Sequence, residues 1–580
     1  MAVTNTLRTR PLRIIAQDPS IEFDGRILTA TVDVRAEALA AGPWGHRVQV
    51  IDYDASTHTL YAPRPGEDHT DKDGKFLDPS VDATDHELLT DPRFHAQNVY
   101  AIVMRTLARF EQALGRRVPW GFNGHQLKVV PHAFADANAF YSRVDEALLF
   151  GYFPDANEEI VFSCLSHDVV AHETTHALLD GLRNRFTDPS SPDQAAFHEG
   201  FADIVALLSV FALPEVADKL LDLDATSGKK TKSGRPTVSK DRLTIDALRN
   251  SMLGLAEQMG QAMSQVRGQA LRRSANLEPN RKLLDSDEYR EPHRRGEVLV
   301  AAVLHAFLRV WSSRLDTLGT VAANQLDRQR VAEEGADAAD YLLTMAIRAI
   351  DYAPVVHMTF GDYLNALLTA DYEIRPDDSR YGYRKHLRDS FDEFGIQPSF
   401  KKSKIEVGLW NAGHTEKLQY SRTHFEPMTR DADEVFWFVW ENRIPLKVHE
   451  GAYGHVLSVR PSLRTAPDGL ALKETVVEFL QQLQVNASEL AGMKIKKPEE
   501  MPDSMPLSLH GGNTLVFDEY GRLKYNIHSD ITDEKRQSAR IQYLWDNGYY
   551  SGDRDPRNFA ELHLQRALDA ENRNDLAERW

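Results

Sequence analysis

His172 and His176 stand four residues apart in HDVVAHETTHALLDG, residues 167–181, with Glu173 directly after the first histidine. Positions i and i+4 of a helix share one face, so both imidazoles can serve a single metal ion. Glu173 lies about 100° around the axis from His172, at 3.6 residues per turn. From there its carboxylate leans over an ion's open position rather than ligating it, which suits a base that takes a proton from attacking water. With 22 histidines in the chain, an HExxH string arises by chance in on the order of one such chain in twenty. The motif therefore needs company to mark a site.

That company is FHEGFADIVALLSVFA, residues 197–212, a second helical run that puts Glu199 and Asp203 on one face. A His₂Glu site takes its carboxylate from a separate element, and Glu199 fits. Asp203, one turn on, can accept the spare N–H of a ligand histidine and fix its tautomer. Two carboxylates on a helix are usually a solvated acidic face. Here the rest of the run is apolar, so they need a buried partner, and a cation provides one.

Around these helices the chain alternates in texture. The first hundred residues carry strand-like runs (RILTATVDV, HRVQVIDYD, HTLYAP) and a polar, Asp-rich loop from Gly66 to Asp91. Residues 94–115 form an amphipathic helix ending at a glycine, and HQLKVVPHAF and ALLFGYF are strands around a polar turn. Helical patterning dominates from Ser166 to Leu213 and resumes from Leu243 to about Gly395, after a basic loop at 227–242 best taken as solvated. Beyond residue 398 the pattern shifts to short strands, a helix near 472–485, a Pro-rich linker and a hairpin signal in TLVFDEYGRLKYNI. No internal repeat is present.

The chain has 580 residues, 42% of them hydrophobic, and a formal charge of −18. Two or three domains are expected at this length. The acidic balance argues against nucleic acid or an anionic membrane as the main partner. A single cysteine, Cys164, excludes an intrachain disulfide framework and any cysteine-based structural zinc cluster. No signal peptide and no membrane-spanning run is visible, which gives a cytoplasmic protein as the expectation, with non-classical export leaving the same blank.

DVVAHETTHAL and HEGFADI resemble the zinc helix and the third-ligand helix of the thermolysin-like metallopeptidases, the gluzincin class. Two further segments match that family in chain order: ANAFYSRVDEALLFGYF (137–153) resembles its cleft strand, and EPHRRGEVLVAAVLHAF (291–307) resembles the helix start that supplies a catalytic histidine. The resemblance spans roughly residues 20–396. It implies an α+β fold with a β-rich N-terminal lobe (1–165), a helical lobe (166–398) and a zinc cleft between them. Residues 399–580 form an additional, smaller domain of mixed α and β structure. It also implies one zinc ion on His172, His176 and Glu199, Glu173 as general base, Asp203 orienting a ligand histidine, and His293 stabilising the oxyanion. Asn138 and Ala139 would bind extended substrate as an added strand. Asp168 matches a position linked to calcium, but capping the zinc helix is the simpler role. Calcium is left out for want of an acidic cluster after Glu199.

Three departures from the family stand out. Its oxyanion tyrosine after HExxH has no counterpart; Phe186 is nearest and donates no hydrogen bond. Its substrate-binding arginine has three candidates, Arg249, Arg272 and Arg273, each also readable as a surface residue. The expected propeptide is missing, which makes residues 400–580 a candidate gate. The expected function is zinc-dependent endopeptidase action on peptide or protein substrates; a GxMEN-type motif, the mark of an aminopeptidase, is absent. The alternative is a non-catalytic or weakly active zinc-stabilised scaffold. Oligomeric state is left open.

Overall fold

A computed structural model describes residues 9–550 except 62–77, 79, 156–157, 189, 222–235, 263–272, 413–417, 466–468 and 470. Part of the Asp-rich loop, most of the basic loop, Arg272 and the last thirty residues lie outside the described residues. The fold is α+β. Strands Thr9–Ile15 and Thr29–Arg35 pair antiparallel, and the alternation in TATVDVR turns Ala30, Val32 and Val34 inward. A five-stranded sheet follows. Its path runs Ile160–Phe162, Ala147–Pro154, Leu127–Phe134, Val48–Val50, with the short strand Ala139–Ser142 paired antiparallel to Ala147–Pro154. The Asp-rich segment is not all loop. Its described end forms the helix Asp85–Thr90, closed by a capping box between Thr84 and Glu87.

The helix Pro92–Leu114 shows why the periodicity was readable. Asp91 caps its start by accepting from the Arg93 amide, Pro92 takes the first position, and Gly115 ends it at φ 65°. It packs on the antiparallel strand pair and on the HExxH helix, His167–Leu182. That helix runs antiparallel to the Glu199 helix, Pro192–Phe211, whose Ser191 hydroxyl accepts from the Gln194 amide. The Glu199 helix in turn lies parallel to the His293 helix, Pro292–Leu315. Asp193 meets Arg295 at 2.5 Å near one end and Phe211 stacks on Phe307 near the other. Between these contacts the two backbones touch. A Cβ on Gly200 would stand 3.1 Å from the Gly296 carbonyl oxygen, and one on Gly296 would stand 3.2 Å from the Gly200 nitrogen. A side chain at either place would have to push the facing backbone back, so glycine at both suits the close approach of the axes. The His293 helix is long and apolar enough to cross a membrane, but most of that stretch is buried inside the fold, as a core helix is.

Past residue 398 the chain stays against the helices. The Asn365 amide donates to the carbonyls of Phe400 and Gly408, and the Trp410 indole donates to the Tyr352 carbonyl. A four-stranded antiparallel meander then follows, Tyr453–Thr465, Ala471–Asn486, Pro506–Phe517 and Leu523–Ser529. Its last pair is the hairpin expected from TLVFDEYGRLKYNI. The helix expected near 472–485 is instead the sheet's longest strand. Both its faces are covered, which erased the alternation that marks a half-exposed strand. Val477 and Phe479 face the helix Ala432–Glu441, while Glu474 and Glu478 face the helical body.

The face toward the body is ionic. Asp351 is clasped by Arg116 at 2.6 and 2.7 Å and is paired with Arg464, which also pairs with Glu474. Glu474 receives the Tyr352 hydroxyl at 2.7 Å and Lys524 at 2.8 Å, and Glu478 pairs with Arg183 at the end of the HExxH helix. Burial works against ionisation of Asp351, but Arg116 and Arg464 prevail and hold its carboxyl well below the usual range. Because Arg464 reaches Asp351, Glu478 reaches Arg183 and Glu474 takes the Tyr352 hydroxyl across the boundary, the C-terminal sheet is part of the folded body. Removing 400–580 would strip partners from Arg183 and Asp351, so truncation cannot separate gating from folding. Arg464→Met is expected to lower stability by about 3–5 kcal/mol, read as a fall in the denaturant midpoint; a midpoint unchanged within error would show that the cluster does not hold the sheet.

Candidate metal centre

His172, Glu173 and His176 occupy the middle of a helix whose whole inner surface is buried, and all three are fully enclosed. The antiparallel Glu199 helix brings its carboxylate between the two imidazoles. His172 Nε2 lies 3.5 Å from Glu199 Oε2, and His176 Nε2 lies 3.5 Å from Glu199 Oε1. The three donor atoms lie within 4.8 Å of one another. A tetrahedral ion with bonds of roughly 2.0–2.1 Å sets its ligand atoms about 3.3–3.4 Å apart. The observed spacing suits ligands arranged around an ion better than a close ion pair. Two imidazoles with one carboxylate are also the donor set of a catalytic zinc site with one position left open.

Both histidines are held through their other ring nitrogen. His172 Nδ1 lies 2.7 Å from Asp203 Oδ1, as expected from the one-turn spacing of Glu199 and Asp203. His176 Nδ1 lies 2.8 Å from His198 Nδ1, and these two rings stack with centroids 4.9 Å apart. His198 went unnoticed in the sequence. Its one signal is adjacency: as the residue just before Glu199, it sits beside the turn that faces His176.

Glu173 accepts a 3.0 Å hydrogen bond from the Tyr141 backbone amide. This ties the Glu173 carboxylate to the strand Ala139–Ser142, which pairs with Ala147–Pro154. Tyr141 is the second residue the sequence did not single out. Its hydroxyl lies 3.1 Å from Asp180, and burial together with the Asp180 charge pushes its pKa far above the ordinary value. Ala139 begins this same strand and Asn138 directly precedes it. The Asn138 side chain accepts from the Ala139 amide at 2.9 Å, and its carbonyl accepts from Gly151.

His293 lies in the first turn of its helix, one turn before the Gly296–Gly200 contact. Its Nδ1 is 2.6 Å from Glu291, which also takes the backbone amides of His293 and Arg294. Burial raises the Glu291 carboxyl, but these bonds outweigh it and hold it at about 2. Its other ring nitrogen, Nε2, is buried with no hydrogen-bond partner among the described residues.

One expectation resolves differently, and the side chains whose roles were open have partners in the fold. Asp168 does not cap the HExxH helix; the cap position is Ser166, and Asp168 accepts the Ser166 hydroxyl at 2.6 Å. Phe186 is a core residue, packed edge-on against Phe197 with centroids 5.7 Å apart. Arg249 pairs with Glu278 at 3.0 Å and Arg273 with the buried Glu297 at 2.8 Å, while Arg272 lies outside the described residues. No protein-family model matches the chain, and no curated protein matches it.

His198→Ala is expected to weaken binding of added zinc by about 10–100-fold, the usual effect of losing a group that orients a ligand histidine. Competition against a chromophoric chelator measures it, and an unchanged affinity would remove His198 from the centre.

Proposed function

We propose that this protein is a zinc-dependent metalloendopeptidase with the two-lobed arrangement of the thermolysin-like enzymes, acting on extended peptide or protein substrates. The observation that carries this reading is the convergence of His172, His176 and Glu199 within 4.8 Å, with Glu173 on the same helix and held by a strand edge. Zinc, when bound, supplies a Lewis acid that polarises a carbonyl and lowers the pKa of water. The chain's own residues do the rest. Asp203 and His198 fix the tautomers of His172 and His176. Glu173 takes the proton from the attacking water as the new C–O bond forms, then hands it to the departing amide nitrogen as the C–N bond breaks. The Tyr141 amide keeps that carboxylate aimed.

His293 fits the role of oxyanion donor through Nε2, because Glu291 occupies Nδ1. A peptide laid antiparallel to Ala139–Ser142 would gain main-chain hydrogen bonds from Asn138 onward, an added-strand mode of recognition. One observation favours the second reading, a weakly active or non-catalytic zinc scaffold: Phe186 is sealed in the core where a hydroxyl donor was expected. Losing one such donor typically costs roughly a hundredfold in rate, so the proposed enzyme is a slow one.

Zinc content and cleavage of a peptide library, compared between wild type and Glu173→Gln, test the proposal. Both proteins should hold zinc at the centre, and cleavage should fall by at least about a hundredfold in the variant. Zinc-loaded wild type that cleaves nothing would establish the scaffold; equal cleavage by both would place the base elsewhere.

A further inference from the structure

A second group of metal-ligating side chains lies outside this centre. His95 stands in the first turn of the helix Pro92–Leu114, His132 on the strand Leu127–Phe134, and Cys164 in the turn that leads into the HExxH helix. All three are buried, and one nitrogen or sulfur from each lies within 4.8 Å of the other two. The ring of Phe162 covers both imidazoles, with centroids 4.7 Å from His95 and 5.2 Å from His132.

The hydrogen bonds assign the protons. His95 Nε2 faces the Leu89 carbonyl at 3.0 Å, and a carbonyl only accepts, so that nitrogen carries the hydrogen. His132 Nδ1 faces the Asp52 carboxylate at 2.8 Å, which likewise fixes its hydrogen there. The remaining nitrogens, His95 Nδ1 and His132 Nε2, are then both lone-pair bearers, and they lie 2.8 Å apart. Two lone pairs at that distance repel unless something electrophilic joins them. A shared proton is one solution. A metal ion displaced toward Cys164 is the other, with the two ring nitrogens parting to the roughly 3.3–3.4 Å that ligand atoms keep around a tetrahedral ion, and the surroundings are built for it: each imidazole donates its far N–H to a carbonyl or carboxylate, the usual support of a ligating histidine.

We propose that His95, His132 and Cys164 form a second, structural binding site for a borderline-soft divalent ion, zinc above all, with Leu89 and Asp52 orienting the two imidazoles. Two imidazoles and a thiolate match zinc and cobalt rather than magnesium or calcium. The negative charge of Asp52 and of the thiolate balance the ion. Binding expels the thiol proton to solvent; burial alone pushes that thiol's ionisation far up, and a coordinated cation reverses this. The sequence with its one cysteine excludes clusters of several thiolates, but one cysteine suffices for this mixed set. The ion would join the central sheet, the helix Pro92–Leu114 and the entry to the HExxH helix, eight residues before His172.

Cobalt(II) substitution of the full-length protein tests the site independently of the catalytic centre. Cys164 is the only cysteine of the chain, so a thiolate-to-cobalt charge-transfer band in the near ultraviolet can arise from no other place. The expected result is that band in wild type, retained in His172→Ala and lost in Cys164→Ser, with one fewer bound cobalt in each variant than in wild type. Cobalt-saturated wild type without a thiolate band would overturn the proposal and leave a proton shared between His95 and His132. Because the band is read on the wild-type protein, a poorly folding variant does not blunt the test. Failure of the catalytic reading would not remove it.

Discussion

Two imidazoles and a carboxylate gathered inside a helical core have lost their water, and their electron pairs all point at one small volume. Such a group is costly unless a cation sits among it or protons are redistributed to make ion pairs. Much of the surrounding structure serves to keep these donors at 3.5 Å rather than let them close. The antiparallel pairing of the HExxH and Glu199 helices sets the approach. Asp203 and His198 then fix the ring orientations from behind. The Gly200–Gly296 contact carries the constraint outward, since it lets a third helix, the one that carries His293, lie close against the Glu199 helix.

The same logic recurs at larger scale where the C-terminal sheet meets the helices. Asp351, Arg464, Glu474, Arg183 and Glu478 are individually expensive to bury; across the boundary Arg464 meets Asp351, Glu478 meets Arg183 and Glu474 takes the Tyr352 hydroxyl, while Arg116 and Lys524 add partners from their own sides. The sheet is thereby coupled to the last turn of the HExxH helix through Arg183. A region that the sequence set apart by texture is energetically continuous with the body.

The elements nearest the site were legible because their signals were local. Pro92 and Gly115 punctuate one helix, and the four-residue spacings of His172 with His176 and of Glu199 with Asp203 each specify a shared face. What escaped depends on contacts between distant segments. His198 acquires its role only when an antiparallel helix turns it toward His176, and Tyr141 acts through its backbone amide, which no side-chain pattern encodes. The strand Ala471–Asn486 looked helical because both its faces are covered, one by a helix and one by the body. Cys164 likewise gained meaning only once folding placed it beside His95 and His132.

Anomalous scattering at the zinc absorption edge, from crystals grown with zinc, tests the central claim most directly. The expected result is a peak bonded to His172 Nε2, His176 Nε2 and the Glu199 carboxylate, with Glu173 standing off it and still held by the Tyr141 amide. No peak at that position with zinc in excess, or a peak that recruits Glu173 as a ligand, would contradict it.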